Sequence, residues 1–133
     1  MSQENVEVVR RAIQAFNDRD FPAMESIYSE DVVFSLIGGF ADLTGAQFRN
    51  QDAAYDWLRD WIKTIGPRAE IESVRQANDQ VLAILNLAAT GAASGVDTAI
   101  RTGNVYSFRD GRINAVDAYY DVAEALKAVG LAE

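Results

Sequence analysis

Apolar residues recur along the chain with two periods, helical in the first half and alternating in the second. Val6, Val9, Ile13 and Phe16 stand at helical spacing with Arg10, Arg11, Gln14 and Asp18 between them. This spacing predicts an amphipathic helix over residues 3–18, with Ser2 or Asn5 as its N-cap. Asn17, Asp18 and Arg19 end it. Asp20 then reads as the cap of a second, short helix, with Pro22 in its first turn, Met24, Ile27 and Tyr28 on its inner face and an end near Ser29. The run DVVFSLIGG is β-branched and aromatic and suits a strand of about six residues. Residues 40–51 read as a loop. A third helix is expected from Asp52 to Ile65, where Ala54, Leu58, Trp61, Ile62 and Ile65 form one apolar stripe before Gly66 and Pro67 stop it.

The pattern then changes to extended chain, with strands expected over residues 69–77, 80–90, 96–109 and 112–120. Turn residues separate them: Asn78-Asp79, the stretch from Gly91 to Gly95, and Arg109-Asp110-Gly111. Asp121, three positions before Glu124, resembles a capping box for a short terminal helix carrying Leu126 and Val129, with Gly130 as its stop. The order is ααβαββββα, without repeats or linkers, so residues 1–133 form one domain of the α+β class. One curved antiparallel sheet with helices over its concave side is the expected architecture.

Strand parity assigns the faces. In 96–109 the even positions Val96, Thr98, Ile100, Thr102, Asn104, Tyr106 and Phe108 point at the helices, because the charges of Asp97, Arg101 and Arg109 are all odd. In the last strand Val116, Ala118 and Tyr120 form the matching inner set, with Asp117 and Tyr119 outside. The central strand is apolar on both faces, with Leu82, Ile84 and Ala88 at even positions and Val81, Ala83, Leu85 and Leu87 at odd ones. A helical layer covers only one face, so a second copy of the sheet is expected on the other, giving a homodimer.

Composition removes several function classes. Twelve Lys and Arg against twenty Asp and Glu give a net charge of −8. That is the wrong sign for a nucleic acid or an anionic membrane surface. With neither cysteine nor histidine, the chain has no disulfide, no thiolate nucleophile, no Ser-His arrangement and no metal site of the common kind. No apolar run is long enough for a membrane span, and the N-terminus lacks the pattern of a signal peptide, so a cytoplasmic location is expected.

The segments VVRRAIQAFNDRD, SEDVVF and FRDGRINAVDAYYD, with the two-tryptophan helix between them, together resemble the SnoaL-like branch of the nuclear-transport-factor-2-like superfamily. The resemblance covers essentially the whole chain. It implies a cone-shaped, cystatin-like fold with an internal pocket, often dimeric, in a superfamily that includes polyketide cyclases, ketosteroid isomerases and epoxide hydrolases. The catalytic positions depart from those enzymes. Ala12 stands where ketosteroid isomerases carry a tyrosine, Leu36 where they carry an aspartate base, and Asn104 where they carry a neutral aspartic acid. Thr102-Gly103-Asn104 stands where limonene-type epoxide hydrolases carry Arg-x-Asp. An inward aspartate of the kind implied for polyketide cyclases is also missing. An amide orients a carbonyl or hydroxyl but does not ionise near neutral pH.

The resemblance and the parity together imply a pocket for a small apolar, ring-containing metabolite without a cofactor. Tyr28, Asn86, Asn104, Tyr106 and Tyr120 are its expected polar lining, and Trp61, Leu58, Phe16, Ile84 and Phe108 its apolar wall. Trp57 and Trp61, one helical turn apart, also suit core or dimer packing. Asp97, Arg101 and Asp117 are the charged group with catalytic residue types on adjacent strands, and they read as an outward salt-bridge cluster. A bulge that moved Asp117 inward would supply a base. The chemistry the fold suggests is isomerisation, cyclisation or hydrolysis; the alternative is a non-catalytic binding or dimeric interaction domain.

Overall fold

The computed structural model describes residues 2–38, 47–90 and 97–131. The first helix, α1, runs Ser2–Asp18 and the second, α2, Phe21–Ile27. Arg19, at φ 57°, turns the chain between them. Asp20 caps α2 by accepting a hydrogen bond from the Ala23 amide at 3.2 Å. Strand β1 follows at once as Tyr28–Ile37, three residues earlier at its start than the sequence run suggests, so Tyr28 opens a strand and does not close a helix. A short strand β2, Gln47–Arg49, lies within the expected loop. Helix α3, Gln51–Ile65, starts on Asn50, whose side chain accepts from the Ala53 amide, and ends on Gly66 at φ 57°.

The remaining strands are β3 (Arg68–Ala77), β4 (Gln80–Thr90), β5 (Asp97–Arg109) and β6 (Arg112–Tyr119), followed by α4 (Val122–Ala128). Asp110 and Gly111 both take positive φ, 55° and 78°, as a two-residue β5–β6 hairpin turn requires. Asp121 caps α4 by accepting from the Ala123 amide at 2.9 Å. The expected turn over residues 91–95 lies outside the described residues.

The six strands make one sheet in the order β2-β1-β6-β5-β4-β3. The β3–β6 meander is antiparallel as the sequence predicts, but β1 lies parallel to β6, with Phe34 beside Val116 and Leu36 beside Ala118. The sheet is therefore mixed, because β1 enters it by way of two helices and not through a hairpin. Side-chain alternation fixes which face a residue takes and leaves the strand's direction open.

Two apolar clusters lie on opposite faces. The larger, with Val9, Ile13, Met24, Val32, Leu58, Val81 and Tyr106, sits between α1–α3 and the sheet. The smaller packs α4 residues Val122, Ala125 and Val129 on Leu82, Ile84 and Val105. The doubly apolar central strand thus has a cause within the chain for two of its even positions: its own terminal helix covers Leu82 and Ile84, while Ala88 stays exposed. Among the described residues, no helix is long and apolar enough to cross a membrane.

Candidate functional site

A cavity of about 380 Å³ lies between the helices and the sheet. Strand β5 runs along it and presents Ile100, Thr102, Asn104 and Tyr106 in succession from one face. Leu85 and Leu87 line it from β4, opposite Thr102 and Ile100. Helix α3 contributes Tyr55, Trp57, Leu58 and Trp61 from the other side.

Asn104 and the phenols gather at one end. Asn104 donates from Nδ2 to the Tyr106 hydroxyl at 3.3 Å, and Tyr28 lies near enough to Tyr106 and Tyr55 for their charges to be felt. Burial, opposed slightly by the Asn104 hydrogen bond, pushes Tyr106 up to about 12. Burial first and Glu25 second push Tyr55 to about 12, and burial raises Tyr28 well above the usual phenol value. All three phenols are neutral at physiological pH. Thr102 and Tyr55 keep their hydroxyls buried without a hydrogen-bond partner.

The opposite end is aromatic. Asn17 of α1 clamps the backbone of Ala69, donating to its carbonyl at 2.9 Å and accepting from its amide at 2.8 Å. Ala69 pairs with Leu87, and Leu87 with Ile100. That chain of contacts fixes Phe16 at the Ile100 end, where its ring meets Trp61 at 6.1 Å between centroids. Trp61 stacks on Trp57 at 5.3 Å, and Trp57 on Phe48 at 5.1 Å.

Of the expected pocket residues, Tyr28, Trp61, Asn104 and Tyr106 line the cavity, as do Phe16 and Leu58 of its expected wall. Asn86 and Tyr120 do not. Asn86 pairs with Arg101, not with an inward residue, and so occupies the outer face, where it donates to Glu72 at 3.5 Å. Ile84 shares that parity and lies under α4. Tyr120 comes just after β6 ends and is 47% exposed. Phe108 packs against the larger core and does not line the cavity. Tyr55 and Thr64 complete the α3 wall, and neither belongs to the apolar stripe by which that helix is recognised.

Of the charged cluster, Arg101 forms a two-point ion pair with Glu72 of β3. Asp117 stays on the outer face, paired with Val105, and desolvation there raises its pKa. The Asp97 side chain lies outside the described residues. No Asp, Glu, Lys or Arg is among the described residues lining the cavity, and Ala12, Leu36 and Asn104 all are.

The model of the SnoaL-like domain matches residues 9–116. The chain belongs to the SnoaL-like family. Solved structures agree on the fold of this SnoaL-like domain. A nuclear-transport-factor-2-like protein of Burkholderia pseudomallei superposes with a TM-score of 0.79 at 20% identity, covering 95% of this chain and 97% of that one. An LEH-like epoxide hydrolase of Mycobacterium tuberculosis gives 0.75 at 20% identity over 96% and 90%. A protein with a ketosteroid isomerase-like fold from Catenulispora acidiphila, solved with trimethylamine, gives 0.74 at 17% identity over 94% and 93%. No curated protein matches the sequence.

Proposed function

We propose that this SnoaL-like domain binds an uncharged, mostly apolar, ring-containing small molecule in its cavity, with Asn104 and Tyr106 orienting the ligand's polar group. The observation that carries this reading is the lining: a cavity of about 380 Å³ with several neutral hydrogen-bonding groups and no charged side chain among its described residues. Binding is favoured over acid–base catalysis because the titratable groups there are phenols held far above neutral pH. Any turnover, whether isomerisation, cyclisation or hydrolysis, would work through orientation and hydrogen bonding, and the reading needs no cofactor.

The reading includes a cytoplasmic homodimer. The outer face beyond α4 carries Ile37, 37% exposed, paired with Tyr119, and a stable copy-to-copy contact there shows as a dimer in sedimentation. The ligand site is tested by titrating neutral bicyclic compounds into the wild type and Asn104→Leu. Affinity about tenfold weaker in the variant, the scale of one net hydrogen bond, with unchanged sedimentation, supports the site. Unchanged affinity with a higher Tm makes Asn104 a core position and removes it.

A further inference from the structure

Strand β3 is an edge of the sheet, with β4 as its one neighbour. Its first residues are nevertheless not open. The Asn17 side chain donates to the Ala69 carbonyl and accepts from the Ala69 amide, at 2.9 and 2.8 Å, the two bonds that a residue of a neighbouring antiparallel strand would make. Beside it Arg19 donates to the Pro67 carbonyl. The end of α1 thus takes the place of a further strand over residues 67–69.

The Asn17 bonds also fix which way the rest of the edge faces. Both backbone groups of Ala69 point away from β4, so alternation turns those of Ile71 the same way. The register then slips between Ile71 and Ser73. From the far end, Ala77 and Gln80 close the two-residue Asn78-Asp79 turn as a bonded pair, so Arg75 also bonds to β4, and Val74 and Gln76 face outward. Glu70 pairs with Asn86 and Arg75 with Leu82, which puts both side chains on the outer face of the sheet. Both are exposed, and among the described residues neither makes an ion pair.

These positions are self-complementary. Two-fold antiparallel pairing that sets Ile71 opposite Val74 of a second copy joins outward backbone groups, and the same register sets Glu70 opposite Arg75 of that copy and Arg75 opposite its Glu70. The slip at Glu72 falls on the two-fold axis and bends both strands alike. The next bonded pair outward would be Ala69 with Gln76 of the second copy, and Asn17 already holds the Ala69 groups. We propose that the β3 edge is a self-association surface for β3 of a second copy and that Asn17 keeps it closed, leaving only the middle of the ladder available. This surface is separate from the outer face on which the homodimer reading rests.

The test is sedimentation velocity of the full chain over a range of concentrations, with folding followed by circular dichroism. Asn17→Leu is expected to sediment at twice the wild-type mass under conditions where the wild type itself does not change, whichever state the wild type adopts. Adding Arg75→Glu sets like charges opposite each other and is expected to return the mass to the wild-type value; adding Glu70→Arg as well restores opposite charges and doubles the mass again. Asn17→Ser, too short to reach both Ala69 groups, serves if Asn17→Leu does not fold. A folded Asn17 variant at the wild-type mass overturns the proposal, and so does association that ignores the charge reversals. A wild type whose mass is halved by Arg75→Glu alone would show the edge paired with Asn17 in place, which overturns the closing role.

Discussion

Gly103 of β5 and Ala125 of α4 are fitted to each other: a β-carbon added to Gly103 would stand 2.5 Å from the Ala125 β-carbon. The close approach lets α4 lie flat on Leu82 and Val105. Gly103→Ala is therefore expected to lower stability by about 1–3 kcal/mol, the cost of overpacking, measured by urea unfolding. Ala125→Gly placed in the same chain should recover part of the loss. A double-mutant cycle without coupling would show that the helix simply shifts.

Thr102 predicts the opposite sign. It is 1% exposed and its hydroxyl has no partner, an arrangement that costs about 1–3 kcal/mol. Thr102→Val keeps the shape and removes the hydroxyl, so its Tm should rise. A fall would mean that the hydroxyl is satisfied in solution.

Asp117 links stability to pH. Desolvation on the outer face raises its pKa, and the same burial, with Asp117 nearby, raises Tyr119. The folded chain keeps the Asp117 proton at pH values where the unfolded chain has lost it. This contribution to stability is thus greatest below the ordinary carboxylate range and declines as pH rises through the folded value. Asp117→Asn should raise Tm at pH 7 and leave it nearly unchanged at pH 3; an equal gain at both would assign the effect to something other than charge.

Binding itself should be flat with pH. Tyr106 and Tyr55 titrate at about 12, so the affinity of a neutral probe is expected to be constant between pH 6 and about 10. An apparent pKa inside that range would place a titrating group against the ligand.

The inner side of β5 is legible from charge alone, since Arg101 and Arg109 share one parity and Thr102, Asn104 and Tyr106 the other. The strand β4 is not legible in the same way. Leu82 and Leu85 are equally apolar on opposite faces, so nothing local shows that Asn86 sits opposite Arg101 on the outer face. The pairing register settles that, and register is a property of two strands together. Tyr120 fails for a related reason: alternation holds only while the strand lasts, and β6 ends at Tyr119. Tyr55 escapes because a helix stripe selects large aliphatic and indole positions, and a tyrosine beside it reads as flank. The fold class, the helices and the meander follow from periodicity and turn residues. The parallel partnership of β1 and β6 does not, because it joins segments with four strands and a helix between them in the chain.

That partnership has a kinetic side. Strand β1, among the first segments of the chain, hydrogen-bonds to β2 and to β6, and β2 is only three residues long. The β3–β6 meander can assemble from neighbouring hairpins, whereas β1 must wait for β6. The slowest step in forming this sheet is expected to be the long loop closure that brings Phe34 beside Val116, and with it the cavity wall between them.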